Sequence, residues 1–195
     1  MPENSNPRPG RPRDPAKDDA AIDATLSLIT ELGFHGLRID DVAARAGVPK
    51  STIYRRWPTL LALVTDAYRS AFPDPVSPRT DDPGADLDRY LERILHNITN
   101  HPIGRTIPVA AATIMREPDL ADDFYEYFVQ PYWDGIVDIA ERGRESGIFT
   151  TAVPSTVVAQ ALIGSCMFGS VFEGRAPDLG DLVAAAYSLL GYESK

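Results

Sequence analysis

The chain has 195 residues, 44% apolar and 24% charged, which is enough for a buried core in one or two domains. No stretch approaches the roughly 18 uncharged apolar residues of a membrane span; the polar, proline-rich residues 1–13 lack the apolar centre of a secretory signal, and the single cysteine, Cys166, excludes a disulfide within the chain, so a reducing cytoplasm is the expected compartment. The net charge of −9 is unevenly spread: residues 1–57 carry +1 and residues 58–195 carry −10, so a polyanionic partner meets repulsion everywhere except at the N-terminal end.

Nearly every segment has helical periodicity, with no alternating strand pattern and no internal repeat. Prolines and a glycine make residues 1–13 a disordered basic tail carrying Arg8, Arg11 and Arg13. Asp14-Pro15 reads as the cap and first residue of a helix reaching Leu32, with Ile22, Leu26, Leu28 and Ile29 on its inner stripe. Gly33 ends it and Phe34 folds back onto the last turn. A short second helix fits Ile39–Ala46, a third Lys50–Trp57 and a fourth the stretch capped by Thr59. Gly47, Pro49 and Pro58 supply the breaks between them.

Residues 73–85, rich in proline and aspartate, read as a loop and place a domain boundary at residue 73. Residues 14–58 then form the N-terminal unit, 59–72 a connecting helix and 73–195 a second domain. Five more helices are expected at about 86–99, 104–116, 119–146, 154–173 and 179–191, with a kink or break at Pro131. The fold class is all-α, with about nine helices.

One segment carries a functional signal. Residues 39–57 are helix, tight turn, helix: Ala-rich on one side of the first, with Val48 and Ile53 filling the angle between them. Lys50, Ser51, Thr52, Tyr54, Arg55 and Arg56 are left on the outer surface of the second. A short helix with hydroxyls, a tyrosine and cations on one side suits the major groove of duplex DNA, where base edges present distinct donors and acceptors. Trp57 reads as core rather than contact.

At Val42-Ala43, Ala46-Gly47-Val48, Ser51-Thr52, Ile53-Tyr54 and Arg56-Trp57 the chain resembles the TetR (tetracycline repressor) family, over about residues 14–72 and more loosely beyond. The resemblance implies a three-helix DNA-binding domain followed by a helical ligand-binding and dimerisation domain. It implies that Lys50, Ser51, Thr52, Tyr54 and Arg55 face bases or adjoining phosphates, and that Arg38, Arg56 and Thr59 hold the DNA backbone. Arg55 reads a base or grips a phosphate; Tyr54 does the same or packs against the first helix. Two departures stand out. The lysine usual after the cap of the fourth helix is Leu60, which removes a phosphate contact, and the threonine usual at the start of the second helix is Arg38, a cation able to offset that loss.

The stretch 154–173 carries no charge before Glu173, so a helix there must be buried on all sides. The resemblance pairs it and 179–191 with their copies in a homodimer; the alternative is a core within one chain. Aromatic residues and methionines gather in 107–136, and the family holds an apolar effector pocket there, for which Met115, Phe128, Tyr132, Trp133 and Met167 are the candidates. Cys166 is an inert core residue or a redox sensor. The acidic run Asp119, Asp122, Asp123 and Glu126 is a solvated face or an attractor of cations, and His96 and His101 lack metal-ligand spacing, so neither metal nor cofactor is expected. The function implied is a regulator released from a palindromic operator by a small molecule. An activator of the same family and a helical small-molecule-converting enzyme are the alternatives, the second without a nucleophile elbow or phosphate-cradling loop in its support.

Overall fold

The computed structural model describes residues 15–72, 76–101 and 103–193; the Asp14 cap and the basic tail lie outside the described residues. Among the described residues ten helices follow one another: α1 (Pro15–Leu32), α2 (Ile39–Ala46), α3 (Lys50–Arg56), α4 (Leu60–Ala71), α5 (Pro83–Thr99), α6 (Ile107–Ile114), α7 (Pro118–Phe128), α8 (Gln130–Glu145), α9 (Ser155–Phe168) and α10 (Leu179–Leu190). The described residues contain no strand, and none of their helices is long and apolar enough to cross a membrane.

The first four helices have the expected limits, except that Trp57 has already left α3 for an extended backbone ahead of Pro58. α5 starts earlier than expected. Asp82 accepts a hydrogen bond from the Ala85 N–H at 3.0 Å and Pro83 occupies the first turn, so the end of the supposed loop is a capped helix start. The long helix expected at 119–146 is two helices, α7 and α8, broken at Val129. Pro131 lacks the N–H that would bond back to α7, so the discontinuity falls just before it. Taken as one broken rod, α7 and α8 bring the helix count of the described residues to the expected nine.

Two cores hold the described residues together. The first joins Ile29, Val42, Ile53 and Leu63 of the N-terminal helices to Ile114, Phe124 and Phe128 of α6 and α7, so it runs across the boundary placed at residue 73. The second packs α5, α8, α9 and α10 around Leu87, Tyr90, Ile136, Phe149, Leu162 and Leu190.

A buried carboxylate ties the segment before α5 to α8. Asp86 is fully buried and accepts from the Thr80 N–H and hydroxyl, both at 2.8 Å, from Arg89 at 2.6 Å and from Arg142 at 3.1 Å. Arg142 also donates to the carbonyls of Pro78 and Thr80 and to Asp138, which pairs with Arg79. Burial pushes the Asp86 carboxyl up, but the hydrogen bonds from Thr80, Arg89 and Arg142 outweigh it and hold the group at about 2. An unfolded Asp titrates near ~3.9, so between those values the unfolded chain binds more protons and stability rises with pH. Asp86→Asn is therefore expected to lower stability at neutral pH by on the order of 3 kcal/mol. The gap between wild type and variant should be complete above about pH 4 and shrink as pH falls toward 2. Urea unfolding midpoints across that range measure it; a gap that stays constant contradicts the assignment.

Candidate nucleic-acid interface

The turn between α2 and α3 is Gly47-Val48-Pro49. Gly47 has φ 64° and ψ 25°, the left-handed region open to glycine without strain. The Val48 N–H closes onto the Ala43 carbonyl at 3.1 Å, ending α2, and the Pro49 carbonyl accepts from the Thr52 and Ile53 N–H groups, starting α3. Val48 and Ile53 are buried beneath the turn, which turns the other side chains of α3 outward. α2 is fastened to α1 by Arg45, whose two terminal nitrogens each lie 2.8 Å from a Glu31 carboxylate oxygen, while one also donates to the Ser27 hydroxyl at 2.9 Å.

On the outer side of α3, Lys50, Ser51, Tyr54, Arg55 and Arg56 are exposed and Thr52 is half-buried. Tyr54 is 50% exposed, so its ring is not packed beneath α1. Trp57 is buried and donates its indole N–H to Asp66 at 2.8 Å. The cations differ in their freedom. Lys50 pairs with Asp40 at 2.5 Å, and Arg56 reaches back to Asp66 at 3.5 Å and Asp18 at 3.7 Å, its guanidinium 5.3 Å from the Trp57 ring centre. Arg55 has no hydrogen-bond or ion-pair partner among the described residues.

The flanking candidates sit at helix starts. Arg38 is exposed ahead of α2 and donates to the carbonyls of His35 at 3.2 Å and Leu37 at 3.1 Å. Thr59 caps α4, its hydroxyl accepting the Ala62 N–H at 3.1 Å. Leu60 is half-buried against the first core rather than presented outward.

Behind this head lies an apolar cavity of about 100 Å³ between α5, α6, the α7–α8 break and α9. Phe128, Tyr132 and Met167 line it. Met115 does not: it terminates α6 on the solvent side and is 46% exposed. Trp133 does not either; it is partly buried against the second core. Sequence reasoning passed over Asn97, which lines the cavity and donates to the Tyr132 hydroxyl at 3.1 Å. Its signal was an amide on the apolar side of α5, between Ile94 and Ile98. Cys166 also lines the cavity, and burial pushes its thiol up to about 11, so the reactive thiolate is disfavoured. Phe124 and Phe128 stack at 4.7 Å, and Phe128 meets Tyr68 of α4 edge-on at 6.1 Å, an aromatic path from cavity to head. No group of three or more His, Cys, Asp or Glu among the described residues could hold a metal, and the acidic run of α7 is exposed.

A short outward helix fixed by a tight turn, on a small head joined to a helical body with an apolar cavity, defines a helix-turn-helix transcriptional regulator that binds DNA. Residues 21–66 match the family described as bacterial regulatory proteins, tetR family, and residues 77–187 match the tetracyclin repressor-like C-terminal domain. The chain belongs to the TetR family of transcriptional regulators and is not an enzyme. It is 31% identical over 172 residues to the uncharacterized HTH-type transcriptional regulator Mb1581 of Mycobacterium bovis, covering 86% of this chain and 84% of the relative. It is 29% identical over 148 residues to the HTH-type transcriptional regulator AqdR of Rhodococcus erythropolis, covering 75% and 70%. Among solved structures it resembles the TetR family regulator SCO0332, with a TM-score of 0.67 and 25% identity over 92% of this chain and 99% of that one. The fold of PfmR from Thermus thermophilus is also similar, with a TM-score of 0.65 and 17% identity over 90% and 99%.

Proposed function

We propose that the protein is a cytoplasmic homodimeric repressor that reads a palindromic operator with two copies of α3 and is released by a small molecule in the apolar cavity. The observation that carries this reading is the exposed Arg55, without a hydrogen-bond or ion-pair partner among the described residues, set beside Tyr54, Thr52 and Ser51 on a helix whose opposite side is locked into the core. Arginine to guanine is the commonest specific base contact. Lys50 and Arg56 exchange their carboxylate partners for phosphates on binding, while Arg38 and Thr59 grip the backbone on either side.

The dimer is supported by α9. Within one chain Val158, Ala159, Leu162 and Cys166 are buried, but Val157, Ala161, Gly164, Ser165 and Phe168 face outward, with no charge among them. A partner covering that face completes the burial that the charge-free sequence demands. Release works as a population shift. The free dimer holds its recognition helices about 34–36 Å apart, one turn of DNA, and effector in the cavity favours another spacing. Linkage makes the coupling reciprocal, so operator weakens effector binding by the same factor.

Selection of bound duplexes from a random pool tests the reading. The enriched sequences are expected to contain two symmetric half-sites one helical turn apart, and the protein should hold them against excess random DNA at fixed salt. Enrichment without two-fold symmetry contradicts it.

A further inference from the structure

The apolar cavity has a polar neighbour stacked on it along the same elements. A second cavity, of about 180 Å³, is lined by Ile98, Thr99, Arg105, Ser170 and Arg175 with the turn at Gly174. Ile98 lines both cavities. On α5 the lining residues Ile94 and Asn97 give way to Thr99; on α9 and the residues just after it Ile163 and Met167 give way to Ser170; and at the start of α6, Ile107 gives way to Arg105 before it. The two spaces are thus successive levels between the same walls, with Ile98 between them.

Their chemistry differs sharply. Among the described residues no charged side chain lines the first, while two guanidiniums and no carboxylate line the second. This occurs in a body carrying −10 overall. The backbone that carries both arginines is set by close approaches that only glycine permits. A Cβ on Gly104, next to Arg105, would lie 2.2 Å from the Asn97 carbonyl oxygen of α5, and one on Gly169 would lie 2.6 Å from that of Arg175. The Arg175 N–H also bonds to the Gly169 carbonyl at 3.1 Å, which folds the segment after α9 back over the cavity. Arg105 has no ion-pair partner among the described residues, and Arg175 pairs only with Glu173, at 3.2 Å and on the surface. The hydroxyls of Ser170 and Thr99 donate to the carbonyls of Cys166 and Leu95, so guanidinium N–H groups are the donors left for an anion.

We propose that the effector is a small apolar carboxylate: its hydrocarbon part, a short chain, occupies the apolar cavity, and its carboxylate passes Ile98 to meet Arg105 and Arg175. This rests on the reading of the apolar cavity as the effector site. The cavity is somewhat smaller than the roughly 150 Å³ space that takes up benzene, so rotation of Ile98 supplies the room for the link. An apolar molecule without the acid fills the first level only. An acid without the apolar part has only exposed arginines to hold it, where pairing is weak.

The test is calorimetric binding to the full-length protein of straight-chain carboxylates from butyrate to decanoate, each beside its primary amide. At least one acid is expected to bind about tenfold or more tightly than its amide, and to lower operator affinity. Arg105→Gln with Arg175→Gln should erase that preference while the amide binds as before, and Ala111→Phe, which fills the apolar cavity, should abolish binding of both. Equal binding of acid and amide, both blocked by Ala111→Phe, overturns the carboxylate assignment and leaves the cavity reading standing. Binding that survives Ala111→Phe in a natively folded variant overturns the cavity reading itself. If no member of the series binds, the proposal is wrong.

Discussion

Replacing Arg55 and Tyr54 together by alanine is expected to reduce operator binding to the non-specific level without unfolding the head. Both side chains project from α3; Tyr54 is 50% exposed and Arg55 makes no hydrogen bond or ion pair among the described residues. Truncating them leaves Val48, Ile53 and Trp57 packed as before, and surface changes of this kind shift stability by no more than about 0.5 kcal/mol. On DNA the effect is larger. A good base contact is worth about 1–3 kcal/mol of discrimination, and a symmetric operator engages each side chain twice, so Arg55→Ala alone removes about 2–6 kcal/mol. That is roughly thirtyfold to more than ten-thousandfold in affinity. Fluorescence anisotropy at fixed salt, against cognate and random duplexes, measures the loss. The slope of affinity against salt separates the two roles open to Arg55. Loss of a phosphate contact weakens all sequences alike and lowers the slope by about one per arginine, whereas loss of a base contact relaxes preference at one position in each half-site. Unchanged affinity for the cognate duplex, with a native melting profile, overturns the placement of α3 in the groove.

The parts of the molecule that were legible in sequence are those specified locally. Gly47, Pro49 and Pro58 punctuate the chain so closely that α2 and α3 have little freedom in where they start and stop. The start of α5 carried an equally local signal, Asp82-Pro83, obscured by the surrounding prolines. What sequence did not reveal is carried by residues far apart in the chain. Asp86 and Arg142 are separated by 56 positions, and nothing near either one announces the pair. The cavity shows the same limit. Phe128, Tyr132 and Trp133 share an aromatic-rich stretch, but which of them reach the cavity depends on the break at Val129, which resets the helical phase between α7 and α8. Further walls come from α5, α6 and α9, and the contribution of Asn97 and Cys166 is settled only by packing. On α3 the exposed surface was legible, but the pairing of Lys50 with Asp40 and of Arg56 with Asp66 was not, and it is this pairing that singles out Arg55.

Glutamate at Ala161 is expected to convert the protein to monomers and to lose most of its operator affinity with the dimer. Ala161 lies on the outward side of α9, between Val157 and Phe168, which are 46% and 57% exposed, and Phe172 beyond them is 76% exposed. A charge there leaves the inward residues Val158, Leu162 and Cys166 untouched, so the protomer keeps its fold. In a two-fold interface the same substitution enters twice, and each glutamate must be buried without a partner against an apolar face or beside its own copy. The consequence for DNA follows from linkage of the two heads. A dimer engages its second half-site at an effective concentration set by the protein itself, a gain of about 10²–10⁴ over one head alone. The variant is therefore expected to bind the full operator about as weakly as a single half-site, whereas wild type separates the two by that factor. Sedimentation velocity gives the mass, and anisotropy on full and half operators gives the affinities. A native dimer mass in Ala161→Glu places the interface elsewhere. A monomer that retains full affinity shows instead that one copy of α3 suffices, which removes the reason for a palindrome.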